Sequence, residues 1–252
     1  MVRRLHHVAI VVRRVAEAYR FYRDTLGLPL LKEASIPEQG VRAALLAAGQ
    51  SEIELIEPLD AASGVARYLA RHGESLHHLC FEVPDAAGVL GELDGRGVEL
   101  IDRVPRHGLA GQIGFLHPRA CAGILVELAT PDAEPAPPPS PVDLKRVVIG
   151  ASDPRATAGR FTSLLALSEV TTNGGRRVLL AAGQGTLLIV PADEVGGHAG
   201  MVALSFVAEE FSALAQACER AGVKHLRGTG EITVDPASSH GVHLHISRYR
   251  FP

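Results

Sequence analysis

Leu5-His6-His7-Val8-Ala9-Ile10-Val11-Val12 is the stretch around which the chain is organised, because a close copy, Leu76-His77-His78-Leu79-Cys80-Phe81-Glu82-Val83, follows it. Each stretch is rich in aliphatic residues, as is typical of a β-strand. Each also opens a segment that closes on a carboxylate between aliphatic residues, Glu54 in the first segment and Glu127 in the second. The separations are nearly equal. A polar pair that recurs at one position of a duplicated unit indicates a site built from both copies.

The first segment has the pattern of a β-α-β-β-β unit. Apolar residues at helical spacing, with Gly27 after them, predict a helix at 15–26 that ends at this glycine. Alternating and aliphatic runs separated by glycine turns predict strands. These strands are expected at 5–12, 29–34, 41–48 and 52–57.

The second segment repeats this order. Asp85 is a suitable N-cap for a helix that runs to Gly95. Strands are expected at 76–83, 98–103, 112–117 and 123–129. A short helix at 65–71 connects the two units.

A proline-rich run at 131–141 divides the chain, because prolines cannot donate to a strand ladder and favour an extended spacer. The half that follows is a diverged copy of the first: Leu45-Leu46-Ala47-Ala48-Gly49-Gln50 returns as Leu179-Leu180-Ala181-Ala182-Gly183-Gln184. We therefore predict an α+β fold of four βαβββ units in two tandem domains. The domains are expected at 1–130 and 142–252.

Composition narrows the classes of function. The chain has 252 residues, 46% of them hydrophobic, and a formal net charge of −3, so no basic field favours nucleic-acid binding. Its three cysteines are widely separated and indicate reduced thiols. Neither a signal peptide nor an apolar run of about 20 residues is evident. These features predict a cytoplasmic protein without a membrane span.

The duplicated polar residues predict a metal centre formed by His7, Glu54, His78 and Glu127. Side chains alternate along a strand, so the sequence alone leaves open whether His6 or His7, and which histidine of the second pair, faces the site. A carboxylate between aliphatic residues is either exposed on an open sheet face or compensated when buried. Because such a carboxylate recurs at Glu54 and Glu127, we favour a buried carboxylate whose charge is compensated. Two imidazoles and two carboxylates suit Co, Mn, Ni, Zn or Fe, and a six-coordinate ion would keep two positions for a chelating substrate.

The second half is a natural control, since it has lost this set of residues. Arg146 stands at the position of His7, Leu188 at that of Glu54, Ala203 at that of His78 and His245 at that of Glu127. We therefore expect a degenerate domain without metal ligands. His243 and His245 share a strand face, and a surface or core role is the preferred interpretation for them.

The residues resemble the vicinal-oxygen-chelate superfamily, which includes glyoxalase I, bleomycin-resistance proteins and extradiol dioxygenases. Residues 3–131 are most similar to methylmalonyl-CoA epimerase. The stretches that carry the similarity include Leu5-His6-His7-Val8-Ala9-Ile10, Pro37-Glu38-Gln39-Gly40-Val41, Ile53-Glu54-Leu55-Ile56-Glu57-Pro58, Phe115-Leu116-His117-Pro118 and Gly123-Ile124-Leu125-Val126-Glu127-Leu128. The resemblance implies paired βαβββ units around one divalent ion, with His7, Glu54, His78 and Glu127 as its ligands.

The resemblance also implies a reaction. It is the epimerisation of methylmalonyl-CoA, or a similar 2-substituted acyl-CoA, by 1,1-proton transfer through a metal-stabilised enolate. Glu127 is the candidate catalytic base. Some family members carry a second base, a glutamate, shortly after the Gly-Val pair, where this chain has Arg42-Ala43-Ala44; Glu38 is a weaker candidate.

Two alternatives remain beside the epimerase. One is a glyoxalase I-like lyase or isomerase that uses the same metal, and the other is a ligand-binding protein of the bleomycin-resistance type. The expected partner is a small acyl-CoA, and the expected assembly is a monomeric pseudo-dimer or a homodimer. The sequence does not select one metal ion from this set or one acyl group.

Overall fold

The computed structural model describes residues 2–133, 137–170 and 176–249. Within these ranges the chain forms two eight-stranded sheets and five α-helices. The strands of the first sheet lie between residues 4 and 130, and those of the second lie between 142 and 247. Part of the linker predicted at 131–141, residues 134–136, lies outside the described residues. The exact limits of the two domains stay a prediction.

The first sheet is built from two repeats with a short helix between them. The first repeat comprises β1 (Arg4–Val11), α1 (Val15–Tyr22), β2 (Leu30–Ile36), β3 (Val41–Ala48) and β4 (Ser51–Pro58). Helix α2 (Gly64–His72) begins after Ser63, whose side chain accepts a hydrogen bond from the Ala66 N–H group, as an N-cap does. The second repeat comprises β5 (Ser75–Glu82), α3 (Ala86–Gly95), β6 (Arg106–Gly108), β7 (Gly111–Leu116) and β8 (Leu125–Thr130).

The second sheet repeats this arrangement. Its first repeat comprises β9 (Val142–Ala151), α4 (Pro154–Leu165), β10 (Ser168–Val170), β11 (Val178–Ala182) and β12 (Gly185–Pro191). Its second repeat comprises β13 (Gly200–Ala208), α5 (Phe211–Arg220), β14 (His225–Arg227), β15 (Glu231–Val234) and β16 (His243–Ser247). The strand orders are β2-β3-β4-β1-β5-β8-β7-β6 and β10-β11-β12-β9-β13-β16-β15-β14. The predicted α+β fold of four βαβββ units is confirmed.

Strand register relates the two sheets residue by residue. Glu127 on β8 pairs with Cys80 on β5, and His245 on β16 pairs with Ser205 on β13. Both pairs join the equivalent parallel strands of their sheets. The register therefore agrees with the alignment that places His245 at the position of Glu127.

In the first sheet, helices α1 and α3 pack against one face of the strands, where apolar side chains are buried. Helix α1 contacts β3 and β4, and α3 contacts β7 and β8. The large buried side chains of this layer include Phe21 and Tyr22 of α1 and Leu90 of α3, each at most 4% exposed. Burial of each such side chain stabilises the fold by roughly 1.5–3 kcal/mol. The other face also carries buried apolar residues, since Ala9, Val11, Val41 and Ile56 form a second core cluster.

The strand expected at 98–103 is wrong. The chain there forms only an isolated bridge between Leu100 and Leu116, and the edge strand is instead β6. The reason is local. The side chain of Asp102 accepts a hydrogen bond from the Phe115 N–H group at 3.0 Å. A side-chain acceptor of this kind competes with strand pairing.

The helix predicted at 15–26 is shorter than expected, since α1 ends at Tyr22. The Thr25 hydroxyl donates to the Arg20 carbonyl oxygen at 2.8 Å, so a side chain takes up a carbonyl at the end of the helix. Gly27 does adopt a left-handed conformation, with φ of 75°, but it ends the following turn and not the helix.

The described residues divide into two compact units, each with segments from both halves of the sequence. The first unit takes its residues from Met1–His7, His78–Pro135 and Arg146–Val202, and the second takes its residues from Val8–His77, Ala136–Lys145 and Ala203–Pro252. Of the four predicted ligands, His7, His78 and Glu127 belong to the first unit and Glu54 belongs to the second.

In the second unit, the turn before β16 contacts residues that are distant in sequence. The Tyr22 hydroxyl donates to the Ser239 carbonyl oxygen at 2.9 Å, and burial raises the pKa of this phenol far above its usual range. The Glu74 carboxylate lies 3.1 Å from His240 Nδ1 and also accepts the Arg13 N–H group at 2.8 Å. These contacts hold the first repeat and the last repeat together within that unit.

Gly241→Ala tests how tightly this turn is packed. Gly241 has φ of 79°, and a Cβ atom added to it would lie 1.7 Å from the Glu74 carbonyl oxygen. We expect a loss of about 3–5 kcal/mol in the free energy of unfolding, from left-handed strain together with the displacement that the clash demands. Urea unfolding followed by circular dichroism measures this loss.

Gly222→Ala is the matched control. Gly222 has a similar φ of 69°, but no atom of the described residues lies within 4 Å of its added Cβ. Only the conformational strain of about 1–2 kcal/mol should remain. Equal losses in the two variants would contradict the close approach of Gly241 to Glu74.

Candidate metal centre

Two histidine rings meet in the first unit. His7 lies on β1 and His78 on β5, and their side chains are 0% and 3% exposed. The Nε2 atoms of the two rings are 3.2 Å apart. Both rings therefore direct the same nitrogen to one point in the interior of the protein.

Glu127 joins this pair from β8. Its Oε2 atom lies 3.4 Å from His78 Nε2, and its Oε1 atom lies 3.9 Å from His7 Nε2. The residue is only 3% exposed. The strand register accounts for this position, since Glu127 pairs with Cys80, two residues after His78 on the neighbouring strand. Three of the four residues predicted from the sequence thus lie together.

The separation of the two nitrogens fits a shared metal ion. Two nitrogens that each lie about 2.1 Å from one ion are about 3 Å apart when the angle at the ion is near 90°. The observed 3.2 Å agrees with this value. Two imidazoles with a carboxylate oxygen form a mixed donor set for a borderline divalent ion. The residues present therefore fit the group that the sequence predicts.

His6 supports the orientation of His7. The Nδ1 atoms of the two rings lie 2.9 Å apart. A neutral imidazole that binds a metal through Nε2 carries its proton on Nδ1, so His7 would donate to His6 in that state. His6, His7 and Cys80 also form a second group of buried residues whose possible ligand atoms lie within 4.8 Å of one another. This group shares His7 with the cluster of His7, His78 and Glu127, so the two groups lie next to each other.

His77 takes a different direction from its neighbour His78. The ring of His77 packs edge-on against Tyr68, with the ring centroids 4.6 Å apart. Burial lowers the pKa of His77 to about 4, so this ring is neutral near pH 7. The alternation of side chains along β5 therefore separates the two histidines, which the sequence alone left open.

Glu54 lies on β4 in the second unit. Its neighbours Ile53 and Leu55 are fully buried, and Glu54 itself is 7% exposed. It pairs with Leu45 on β3. The carboxylate is therefore buried, which excludes the exposed sheet face that the sequence allowed. Its role as a ligand stays a prediction.

The stretch Arg42-Ala43-Ala44, in which the resemblance implies a second base, lies on β3 in the second unit. Ala43 on β3 pairs with Ile56, two residues beyond Glu54, so Ala43 lies on the same face of the sheet as Glu54. Arg42 and Ala44 lie on the opposite face, and Arg42 donates to Glu33 there. The residue that stands on the Glu54 face is therefore an alanine, 1% exposed. Glu38 lies in an exposed turn.

Arg106 and Phe115 are two site residues that the sequence did not reveal. Phe115 pairs with Glu127, and its ring packs edge-on against His78 at 5.2 Å between centroids. The Arg106 guanidinium lies 5.5 Å from the centre of the Phe115 ring, and its buried NH1 atom has no hydrogen-bond partner within the described ranges. Its Nε atom is 3.5 Å from Asp102. The sequence does not single out Arg106, because its contacts with Asp102 and Phe115 form only when β6 pairs with β7.

The fold and these residues define the class of protein. A model of the Glyoxalase/Bleomycin resistance protein/Dioxygenase superfamily matches residues 6–116. The chain belongs to this superfamily, and the resemblance found in the sequence is confirmed. None of the helices in the part of the chain that the structure describes is long and apolar enough to span a membrane.

Particular relatives cover about half of this chain. The uncharacterized Bacillus subtilis protein YqjC is 41% identical over 132 residues, which are 52% of this chain and 94% of YqjC. The ethylmalonyl-CoA/methylmalonyl-CoA epimerase of Cereibacter sphaeroides is 34% identical and covers 51% of this chain and 98% of its own length. The mitochondrial methylmalonyl-CoA epimerase of Mus musculus is 33% identical, over 50% of this chain and 71% of its own.

Two solved structures are similar to different lengths of this chain, one to about half of it and one to nearly all of it. A variant of the Streptomyces coelicolor methylmalonyl-CoA epimerase, in complex with 2-nitronate-propionyl-CoA, is 34% identical with a TM-score of 0.51. It covers 53% of this chain and the whole of that chain. A mutant of 4-hydroxymandelate synthase from the same organism covers 98% of this chain and 92% of its own, with a TM-score of 0.74 and 18% identity. The latter likeness shows the tandem fold alone.

Proposed function

We propose that this protein is a metal-dependent epimerase of methylmalonyl-CoA or a similar 2-substituted acyl-CoA. The observation that carries the proposal is the convergence of His7 Nε2, His78 Nε2 and the Glu127 carboxylate in a buried place. The relatives named as epimerases, and a relative's structure with an acyl-CoA analogue, support the choice of substrate class.

Four residues would hold the metal ion in this proposal: His7, Glu54, His78 and Glu127. Glu54 is included because the resemblance found in the sequence implies it as a ligand, and its carboxylate is buried between aliphatic residues of β4. The set would suit Co, Mn, Ni, Zn or Fe.

A bound divalent ion would polarise the thioester carbonyl and stabilise the negative charge of the enolate. This chemistry is needed because a proton alpha to a thioester is too weakly acidic for a free carboxylate to remove quickly. Glu127 is then the group that moves the proton. Its second oxygen can accept the alpha proton while the first is held in the cluster, as general-base catalysis requires.

Arg106 and Phe115 are the residues that would position the substrate. The unpartnered NH1 atom of Arg106 can donate to a carboxylate, such as the free carboxylate of a malonyl group. The Phe115 ring contacts both this guanidinium and the His78 ring. Asp102 restrains Arg106 through its Nε atom.

A glyoxalase I-like isomerase is the second candidate. The observation in its favour is Ala43, since this alanine leaves the Glu54 face of β3 without the second base that a two-base epimerase would use. One carboxylate is sufficient to move a proton between adjacent carbons on one face of a substrate. We further propose that residues 142–252 form a domain without metal ligands, so the reaction belongs to residues 1–130.

Proton exchange tests the proposed reaction. We expect the metal-loaded protein in deuterium oxide to introduce deuterium at the alpha carbon of methylmalonyl-CoA, because removal and return of the proton pass through exchange with solvent. Mass spectrometry of the recovered ester measures the incorporation. Two further substrates are tested in parallel. Ethylmalonyl-CoA is assayed for deuterium incorporation, and the hemithioacetal of methylglyoxal with glutathione is assayed for formation of lactoylglutathione.

The matched control is Glu127→Gln, which keeps the size of the side chain and removes the base; its metal content is measured as well, because the same carboxylate is a proposed ligand. Incorporation should fall to the background of metal-free protein in this variant. Exchange in the wild-type protein no faster than this background would reject the epimerase. Formation of lactoylglutathione without exchange in either acyl-CoA would identify the protein as a glyoxalase I-like isomerase.

A further inference from the structure

Arg146 lies in the second sheet at the position that His7 holds in the first. Strand β9 lies between β12 and β13 in the strand order, as β1 lies between β4 and β5. The alignment of the two halves sets Arg146 against His7. A cation has therefore taken the place of a predicted metal ligand.

The positions that β9, β11 and β12 contribute around Arg146 carry no acidic residue. Arg146 pairs with Thr186 on β12, and Val148 pairs with Leu188. The next strand, β11, adds Leu179 and Ala181 on the same face through their pairing with Leu188 and Thr186. We call these six residues the Arg146 face. Among the positions that β9, β11 and β12 contribute to it, the polar side chains are those of Arg146 and Thr186.

The opposite face of the same strands is the one that helix α4 covers. Val147, Ile149, Leu187 and Ile189 lie on it, and each is at most 1% exposed. Helix α4 contacts both β11 and β12. The Arg146 face is different, because Arg146, Val148, Thr186 and Leu188 keep part of their surface accessible. A small molecule can reach it.

The guanidinium of Arg146 is only partly compensated. Its Nε atom is buried and has no hydrogen-bond partner among the residues that the structure describes. Burial also lowers the pKa of Arg146. A cation in such a place is unfavourable unless an anion or hydrogen-bond acceptors accompany it. A negatively charged ligand would supply this compensation.

We infer that Arg146 binds the anionic group of a small ligand whose apolar part lies on Val148, Leu179 and Leu188. The planar guanidinium presents paired N–H donors that match a carboxylate or phosphate. The aliphatic residues beside it favour a carboxylate on an apolar chain over an inorganic anion. The Arg146 face would then be a second ligand-binding site within the first unit.

Thermal unfolding of the full chain tests this site. Sodium hexanoate and inorganic phosphate are added separately, with sodium chloride at matched ionic strength as the reference. We expect hexanoate to raise the Tm in a saturable manner, since a ligand that binds only the folded state stabilises it. In Arg146→Leu, the apparent affinity for hexanoate should fall at least about tenfold. Without ligand, this variant should melt no lower than the wild type, because it removes a partly buried cation whose Nε atom has no hydrogen-bond partner among the described residues.

Arg155→Leu is the matched control. Arg155 lies in the same half, its side chain is 58% exposed and it pairs with Glu169. Its response to hexanoate should equal that of the wild type. The Nε–H resonance that disappears from the nitrogen-15 spectrum in Arg146→Leu should shift when hexanoate is added to the wild-type protein.

Three results would overturn the inference. One is a wild-type Tm that is the same in hexanoate, phosphate and chloride. Another is an equal response of Arg146→Leu and wild type. The third is a lower Tm of Arg146→Leu in ligand-free buffer, which would show a structural partner for this arginine. A response to phosphate but not to hexanoate, lost in Arg146→Leu, would support the anion site and identify phosphate as its ligand.

Discussion

His78→Ala is expected to abolish metal binding and to lower turnover by about 10³-fold or more. The Nε2 atom of His78 lies 3.2 Å from that of His7 and 3.4 Å from the Glu127 carboxylate, so the substitution removes the donor between the other two. Loss of one group that stabilises charge in the transition state commonly costs 10²–10³-fold, and here the ion would be lost with it. Elemental analysis and the exchange rate of methylmalonyl-CoA measure the two effects.

His77→Ala is the control for this substitution, because it removes the same side chain at the next position of β5. The His77 ring contacts Tyr68 and faces away from His78. Metal content and turnover should stay at the wild-type level, with at most a modest fall in Tm. A divalent metal should raise the Tm of wild type and His77→Ala, but not that of His78→Ala. Retention of metal and turnover in His78→Ala would reject the proposed centre.

Ala43→Glu is expected to accelerate epimerisation by about 10²-fold. Ala43 is the residue of the stretch Arg42-Ala43-Ala44 that lies on the Glu54 face of β3. The resemblance found in the sequence implies a glutamate base within this stretch. A positioned general base typically contributes 10²–10⁴-fold, so its restoration should give at least the lower value. The rate of interconversion of the two methylmalonyl-CoA epimers, followed by chiral analysis of the acid, measures the gain.

Ala43→Gln separates the effect of the carboxylate from the effect of side-chain volume. It introduces nearly the same volume without a base, so epimerisation should not become faster, while the cost in packing should be similar. Both variants place a larger side chain at a position that is 1% exposed, and the Tm reports how well each is tolerated. If Ala43→Glu folds, binds metal and is no faster than Ala43→Gln, this position does not accept a second base.

Much of the fold was predictable because it depends on local patterns. The aliphatic runs around His7 and His78 and the repeat of Leu45–Gln50 at Leu179–Gln184 determine the four βαβββ units without knowledge of any contact. The strand at 98–103 was not predictable in the same way. There the side chain of Asp102 takes the Phe115 N–H group, and such a competition depends on residues that are adjacent only after folding.

The site shows the same division. The sequence by itself determined which residue types recur and which positions lost them in the second half, since these are properties of the order of residues. Only the tertiary structure decided that His78 turns its Nε2 atom to His7 while His77 packs against Tyr68. It also placed Phe115 beside His78, with Arg106 against the Phe115 ring, and left Arg146 beside aliphatic side chains. The physical reason is that strand patterns record the alternation of side chains, whereas distances between side chains follow from the pairing of strands that are far apart in the chain.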